Sequence, residues 1–236
     1  MSGCSDCSML AAPKALESLV ECFWISRPAH DYDCQVAPDG CVDLCLVHSE
    51  RGPEAIVLGP ATQASKFRMK AGFSYSCVRF RPGIGARILG QMASALANSS
   101  VRLDLPLNCN LHEPPKGQDS VEIRAHLESF LNSLLVRFKD HPPRYLEEAI
   151  RLIDDLHGEI RVHEIAQRLR ISRRQLERAF LERVGMTPKL YARIARFRAA
   201  LEYLKLNPGK NRAEAAAQYG FSDQSHLARE ARRFGI

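Results

Sequence analysis

Ile171-Ser172-Arg173-Arg174-Gln175-Leu176-Glu177-Arg178-Ala179-Phe180 is the stretch on which the reading of this chain turns. The Ser172 hydroxyl is placed to accept from the free amides of a first helical turn, and Gln175 three residues on completes a capping-box pattern. Leu176, Ala179, Phe180 and Val184 then share one helical face, while Arg174, Glu177, Arg178 and Leu181 fall on the other at i, i+3, i+4 and i+7. Immediately upstream, residues 162–169 read as a short helix and Arg170-Ile171 as a tight turn. A helix with one buried stripe and a projecting arginine pair, set behind a short helix and turn, has the shape a major groove accommodates.

A similar unit recurs about 50 residues on, over residues 213–234. Its turn is Tyr219-Gly220-Phe221, with Ser222 in the capping position. Leu227 and Phe234 mark its inner face. Ser225, Arg229 and Arg232 point away, flanked by His226 and Arg233, with Gln224 in the first turn. Between the units Leu190, Ile194, Phe197, Leu201 and Leu204 form one apolar stripe, stopped by Asn207-Pro208-Gly209. A helix over residues 190–206 spans roughly 25 Å at 1.5 Å per residue. With the girth of the units added, their projecting helices come near one DNA turn apart, on the order of 34 Å.

Charge agrees with this placement. Residues 1–143 carry 14 Lys+Arg against 15 Asp+Glu, whereas residues 144–236 carry 19 against 12. The whole cationic excess therefore sits with the paired units, mostly as arginine, whose planar fork suits phosphate and guanine. At 236 residues, 45% apolar and 25% charged, the chain has the composition of folded protein and the length for two domains. It contains no apolar run of bilayer length and no signal-peptide pattern at residues 1–10, so a soluble cytoplasmic protein without membrane association is expected.

The first half reads differently. Cys41-Val42-Asp43-Leu44-Cys45-Leu46-Val47 follows the turn signal Pro38-Asp39-Gly40, Ala55-Ile56-Val57-Leu58 runs into Gly59-Pro60, and residues 73–80 stop at Pro82-Gly83. Short strands between Gly/Pro turns predict a small sheet or barrel, with one or two short helices over residues 84–97. Pro114-Pro115 lies in a polar linker at residues 108–118. The stripe Leu127, Phe130, Leu131, Leu134, Leu135 and Phe138 predicts an amphipathic helix, ended by His141-Pro142-Pro143. The expected class is α+β: a β-rich domain over residues 1–110, a linker and helix over 111–143, and an all-α domain with two helix-turn-helix units over 144–236.

Three runs in the C-terminal region closely resemble the AraC/XylS-type transcriptional regulators. They are residues 172–180, Val184-Gly185-Met186-Thr187-Pro188, and Gly220-Phe221-Ser222-Asp223-Gln224-Ser225-His226-Leu227. More loosely, Pro38-Asp39-Gly40-Cys41-Val42-Asp43-Leu44, Val78-Arg79-Phe80-Arg81-Pro82-Gly83 and Val101-Arg102-Leu103-Asp104-Leu105 are similar to the sensor domain of one subgroup. The resemblance implies a seven-helix DNA-binding domain, with base reading by Arg174, Glu177 and Arg178 in the first unit and by Ser225, His226 and Arg229 in the second. Arg173, Gln224, Arg232 and Arg233 complete the expected DNA-binding set. Arg174 or Arg178 can fork onto guanine O6 and N7, and Glu177 can accept from a cytosine amino group.

The implied partners are double-stranded DNA and RNA polymerase, with a small-molecule effector and a homodimer left open. Three departures from the family pattern stand out. Arg170 occupies a position often held by Gly, at a cost of about 1 kcal/mol if the site needs positive φ. Ala231 replaces a usual aromatic. The sequence ends at Phe234-Gly235-Ile236, before a second Gly-x-Thr-Pro segment, so the second unit is expected to fray.

All eight cysteines lie between Cys4 and Cys109, and thiols are expected rather than a disulfide framework. Cys4, Cys7, Cys34, Cys41 and Cys45 have spacings reminiscent of thiolate metal sites, which defines an alternative reading as a thiol-based metal or redox sensor with DNA binding as output. On a strand, however, Cys41 and Cys45 stand about 13 Å apart. Cys109-Asn110-Leu111-His112 is a further ligand-like pair in the linker. No nucleophile–base arrangement and no phosphate-cradling Gly loop is present, so no cofactor and no enzymatic activity is expected.

Overall fold

A computed structural model describes residues 7–103, 120–136 and 142–236. The chain is a β-rich domain followed by a helical domain. Its first part builds a six-stranded antiparallel sheet from β1 (Cys7–Ala11), β2 (Val20–Ser26), β4 (Val42–Ser49), β5 (Gly52–Leu58), β7 (Ser74–Phe80) and β8 (Ser100–Arg102). The spatial order is β1-β2-β7-β4-β5-β8, and β3 (Tyr32–Val36) pairs with β6 (Ser65–Met69) as a separate two-stranded sheet. Alternation along the strands sends Trp24, Cys45, Val47, Tyr75 and Cys77 to the face that also buries Cys34 and Met69 of the smaller sheet. The opposite face carries Phe23, Leu44, Leu46, Val78 and Phe80. It is covered by Ile123, Leu127, Phe130 and Leu131 of the helix α3 (Ser120–Leu135) and by the short helices α1 (Gly85–Ile88) and α2 (Ala93–Leu96).

The three strands and the two short helices expected from the sequence are present. The stripe helix begins earlier than the stripe itself, at Ser120, and its expected continuation to Phe138 lies outside the described residues, as do the linker motifs Pro114-Pro115 and Cys109 to His112. β1, β2, β3, β6 and β8 are additions to the expected set.

One feature of the sheet is polar. Asp43 on β4 stands opposite Arg79 on β7 in the ladder. The Arg79 guanidinium donates to Asp43 at 2.8 Å and to Asp39, and its Nε lies 3.4 Å from Glu21. Trp24 Nε1 donates to the other Asp43 oxygen at 3.2 Å, and the Cys41 thiol donates to Glu21 at 2.9 Å. Asp39, Asp43 and Arg79 are all buried, so each charge depends on the others for compensation. Two of the three N-terminal runs that carry the family resemblance, residues 38–44 and 78–83, thus meet in one buried ion cluster.

From Pro143 onward the structure is helical: α4 (Arg144–Asp155), α5 (Val162–Arg168), α6 (Arg173–Arg183), α7 (Pro188–Leu206), α8 (Arg212–Gln218) and α9 (Gln224–Arg233). Their core joins Leu146, Ile153, Ile165, Leu176, Phe180, Ile194, Phe197, Leu227 and Phe234. The two domains are in direct contact. A side chain at Gly40 would strike Tyr191 of α7 and Val184 after α6, and one at Gly185 would strike Pro60 and the Ala93 carbonyl. At the far end, the Ala64 amide donates to the Phe234 carbonyl just past α9, at 2.6 Å. Residues 59–64 therefore touch the C-terminal ends of both α6 and α9.

Candidate nucleic-acid interface

The first unit forms as its sequence dictates. Ser172 Oγ accepts from the Gln175 amide at 3.1 Å and starts α6. The turn before it is closed by the Ile171 amide donating to Ala166 O, with Arg170 in the left-handed region at φ +53°. The position therefore does require positive φ, and Arg170 bears the steric penalty a glycine would avoid. Leu176, Ala179 and Phe180 are buried, and the Phe180 ring meets Tyr191 edge-on. Arg173, Arg174 and Arg178 are exposed and Glu177 half-buried. Arg173 Nε donates to Glu177 at 2.8 Å, and Arg178 lies 3.9 Å from Glu182, so the carboxylate expected to read cytosine is held by its own helix.

The second unit corrects the sequence reading at its cap. Asp223, not Ser222, caps α9: its Oδ1 accepts from the His226 amide at 2.7 Å. The charged acceptor one residue nearer the helix outcompetes the hydroxyl. Ser222 instead engages the His226 ring, with its backbone amide donating to Nδ1 at 3.3 Å. With Nδ1 accepting, the neutral imidazole carries its proton on Nε2 and is a donor there. The two-way capping box falls on Asn211 and Glu214 at the start of α8. Gln224, Ser225, Arg229, Arg232 and Arg233 are exposed and His226 half-buried.

Fraying of the second unit is not what the fold shows. α9 runs to Arg233, and Phe234 is buried against Phe197 with Arg193 over its ring. Ala231, half-buried, leaves the packing to two other groups: Phe234 and the pair Arg193–Glu230, which is bonded from Nε at 3.0 Å and from Nη2 at 2.6 Å. The expected second-unit turn at Tyr219-Gly220-Phe221 is present, with Gly220 at φ +63°.

The cysteines are buried rather than gathered. Among the described residues no group of three or more His, Cys, Asp or Glu is arranged to hold a metal ion. Cys41 is bonded to Glu21, Cys45 faces Cys77 across the ladder, Cys7 is half-buried, and Cys4 lies outside the described residues. Cys34 departs from the thiol expectation: fully buried on β3, it is disulfide-bonded. Burial pushes the Cys22 thiol up to about 11 and raises Cys41, Cys45 and Cys77, which suppresses the reactive thiolate in all four.

Among the described residues, no helix is long and apolar enough to cross a membrane. Residues 165–235 match the model of a helix-turn-helix domain, and residues 8–102 match a domain of unknown function, DUF6597. No curated protein matches the chain in sequence. Among solved structures, an apo form of ToxT from Vibrio cholerae aligns over 91% of this chain and 94% of its own, at 11% identity and a TM-score of 0.48. ToxT of the same organism bound to an unsaturated fatty acid aligns over 99% and 93%, at 11% identity and a TM-score of 0.43. With their capped second helices and paired units, residues 165–235 form a helix-turn-helix domain of the AraC type, preceded by a DUF6597 domain over residues 8–102.

Proposed function

We propose that the protein is a sequence-specific transcription regulator in which α6 and α9 enter adjacent major-groove segments of one duplex. The observation that carries this is the simultaneous exposure of Arg173, Arg174 and Arg178 on α6 and of Ser225, Arg229, Arg232 and Arg233 on α9, each helix held by a capped first turn and a buried inner stripe. At 19 residues, α7 is about 28 Å long, which supports a separation near one helical turn of DNA. Arg174, Arg178, Arg229 and the His226 Nε2 donor are assigned to base edges. Glu177 reads a cytosine amino group once Arg173 turns to a phosphate.

Regulation is assigned to the N-terminal domain, because its loops rest on Val184, Gly185 and the Phe234 carbonyl at the ends of both recognition helices. RNA polymerase, a small-molecule effector and a second copy of the chain are the partners this role calls for. The raised, buried thiols argue against cysteine chemistry as the primary signal.

Mapping genomic binding sites, followed by affinity measurement for Arg178→Ala on the recovered site, tests the assignment. The variant is expected to lose about 1–3 kcal/mol on that site and to relax preference at one base pair. Equal loss on specific and random duplexes would remove Arg178 from the base-reading set.

A further inference from the structure

A cleft of about 460 Å³ opens between the two helix-turn-helix units, and the first turns of both α6 and α9 border it, through Arg173 and His226. Five arginine or lysine residues line it against a single carboxylate, Glu230. That carboxylate is held by the Arg193 guanidinium, so it presents little negative charge to a ligand. Arg196 is likewise committed, donating from Nη2 to Gly158 O at 2.7 Å and from Nη1 to Gly220 O at 3.4 Å. The floor thus holds a neutral Arg193–Glu230 pair beside the Arg196 cation, which ties the loop before the first unit to the turn of the second.

The rim differs from the floor. Arg161, at the N-cap of α5, and Lys189, in the first turn of α7, are exposed, and no carboxylate of the described residues pairs with either. A cleft of similar size in the β-rich domain sets Arg51, Lys70 and Arg102 against Glu50 and Glu54, with Arg102 bound to Glu54 at 3.1 Å. Of these two clefts, the one between the units combines the stronger cationic excess with rim charges left available.

We propose that this cleft seats the sugar–phosphate strand running between the two groove segments, with Arg161 and Lys189 each contacting a phosphate. The inference rests on the DNA-binding reading, and it adds a site away from the base-reading faces. A strand passing from the groove entered by α6 to that entered by α9 crosses the space bordered by both helix starts. The positive field of Arg196 and of the Arg161 and Lys189 rim favours phosphate there whatever the base sequence.

The test uses the full chain and a random-sequence duplex of about 30 base pairs, long enough for three helical turns. Binding is followed by fluorescence anisotropy across a salt series for the native protein, Arg161→Ala/Lys189→Ala, and Lys66→Ala on β6 as a charge-loss control. The double variant is expected to bind several-fold more weakly and to lower the slope of log K against log salt by about 1.8, or 0.9 per lost contact. The control should keep the native slope, and circular dichroism should show all three proteins equally helical. A steep native slope that the double variant leaves unchanged overturns the cleft assignment while DNA binding stands. Absence of salt-dependent binding by the native chain overturns the DNA-binding reading, and the cleft assignment with it. Saturable binding of inorganic phosphate at the cleft, with the slope unmoved in the double variant, would make it a small-anion site instead and also overturns the proposal.

Discussion

The two helix-turn-helix units have the same outline and different internal chemistry. The first closes its core with apolar contacts, Phe180 against Tyr191, and makes its turn with an arginine forced to positive φ. The second makes its turn with Gly220, which takes the same conformation without strain, but closes its core with a half-buried ion pair beneath Phe234. Each unit therefore has one local weakness, in a different place. Both end in a glycine at positive φ, Gly185 and Gly235, but only Gly185 is walled in by the N-terminal domain.

Glu230→Ala is expected to have the largest effect, a loss of about 3 kcal/mol, because it strands the Arg193 charge against the helical core. Denaturant unfolding at neutral pH measures it, and a loss below about 1 kcal/mol would mean that Phe234 alone supports the second unit.

Next is the pair of matched substitutions Gly185→Ala and Gly235→Ala. A Cβ at Gly185 would stand 2.6 Å from Pro60 and 2.7 Å from the Ala93 carbonyl, whereas at Gly235 the nearest atom is 3.5 Å away. Gly235→Ala should cost about 1 kcal/mol from positive φ alone, and Gly185→Ala about 2 kcal/mol or more, since backbone cannot move aside cheaply. Equal losses in thermal or chemical unfolding would dissolve the contrast between the two ends.

Acidity sharpens the comparison in a third way. Burial raises the Asp154 carboxyl to about 6, although the Tyr191 hydroxyl donates to it at 3.1 Å. A folded-state value above the ordinary 3.8 means that folding favours the protonated form. This carboxyl therefore opposes folding most at pH above 6, and that opposition is relieved as pH falls towards 4. From pH 7.5 to 5 its share is a small gain, well under about 1 kcal/mol because the Asp154 side chain is exposed and screened by solvent, and Asp154→Asn should flatten that part of the melting-temperature profile. A similarly small change is expected for Arg170→Gly, a gain of up to about 1 kcal/mol reduced by the greater backbone freedom of glycine in the unfolded chain. A destabilised Arg170→Gly variant would show that Arg170 makes contacts outweighing its strain.

What the sequence disclosed was local. Ser172 announced its helix because no stronger acceptor sits beside it; Ser222 misled because Asp223 does. The strands flanked by Gly and Pro could be read, but Tyr32–Val36 and Ser65–Met69 could not, since each is short and defined mainly by pairing with the other. Arg170 could be singled out by its identity, but the need for positive φ became certain only from the turn. The contacts of Gly40 with Tyr191 and of Gly185 with Pro60 join residues more than 90 positions apart, and no periodicity encodes them. Asp43 and Arg79 are likewise ordinary charges in sequence, and only the β4–β7 register brings them face to face.

The segment from Gly59 to Ala64 leans on Gly185 at one end and on Phe234 at the other, and is itself anchored by Thr62 to Asn98 and by Ala61 to Asp39. If α6 and α9 read DNA as proposed, a displacement of this strap would move the end of one helix relative to that of the other and so change how far apart they stand. Discrimination would then fall on the length of spacer between half-sites as well as on the letters within them.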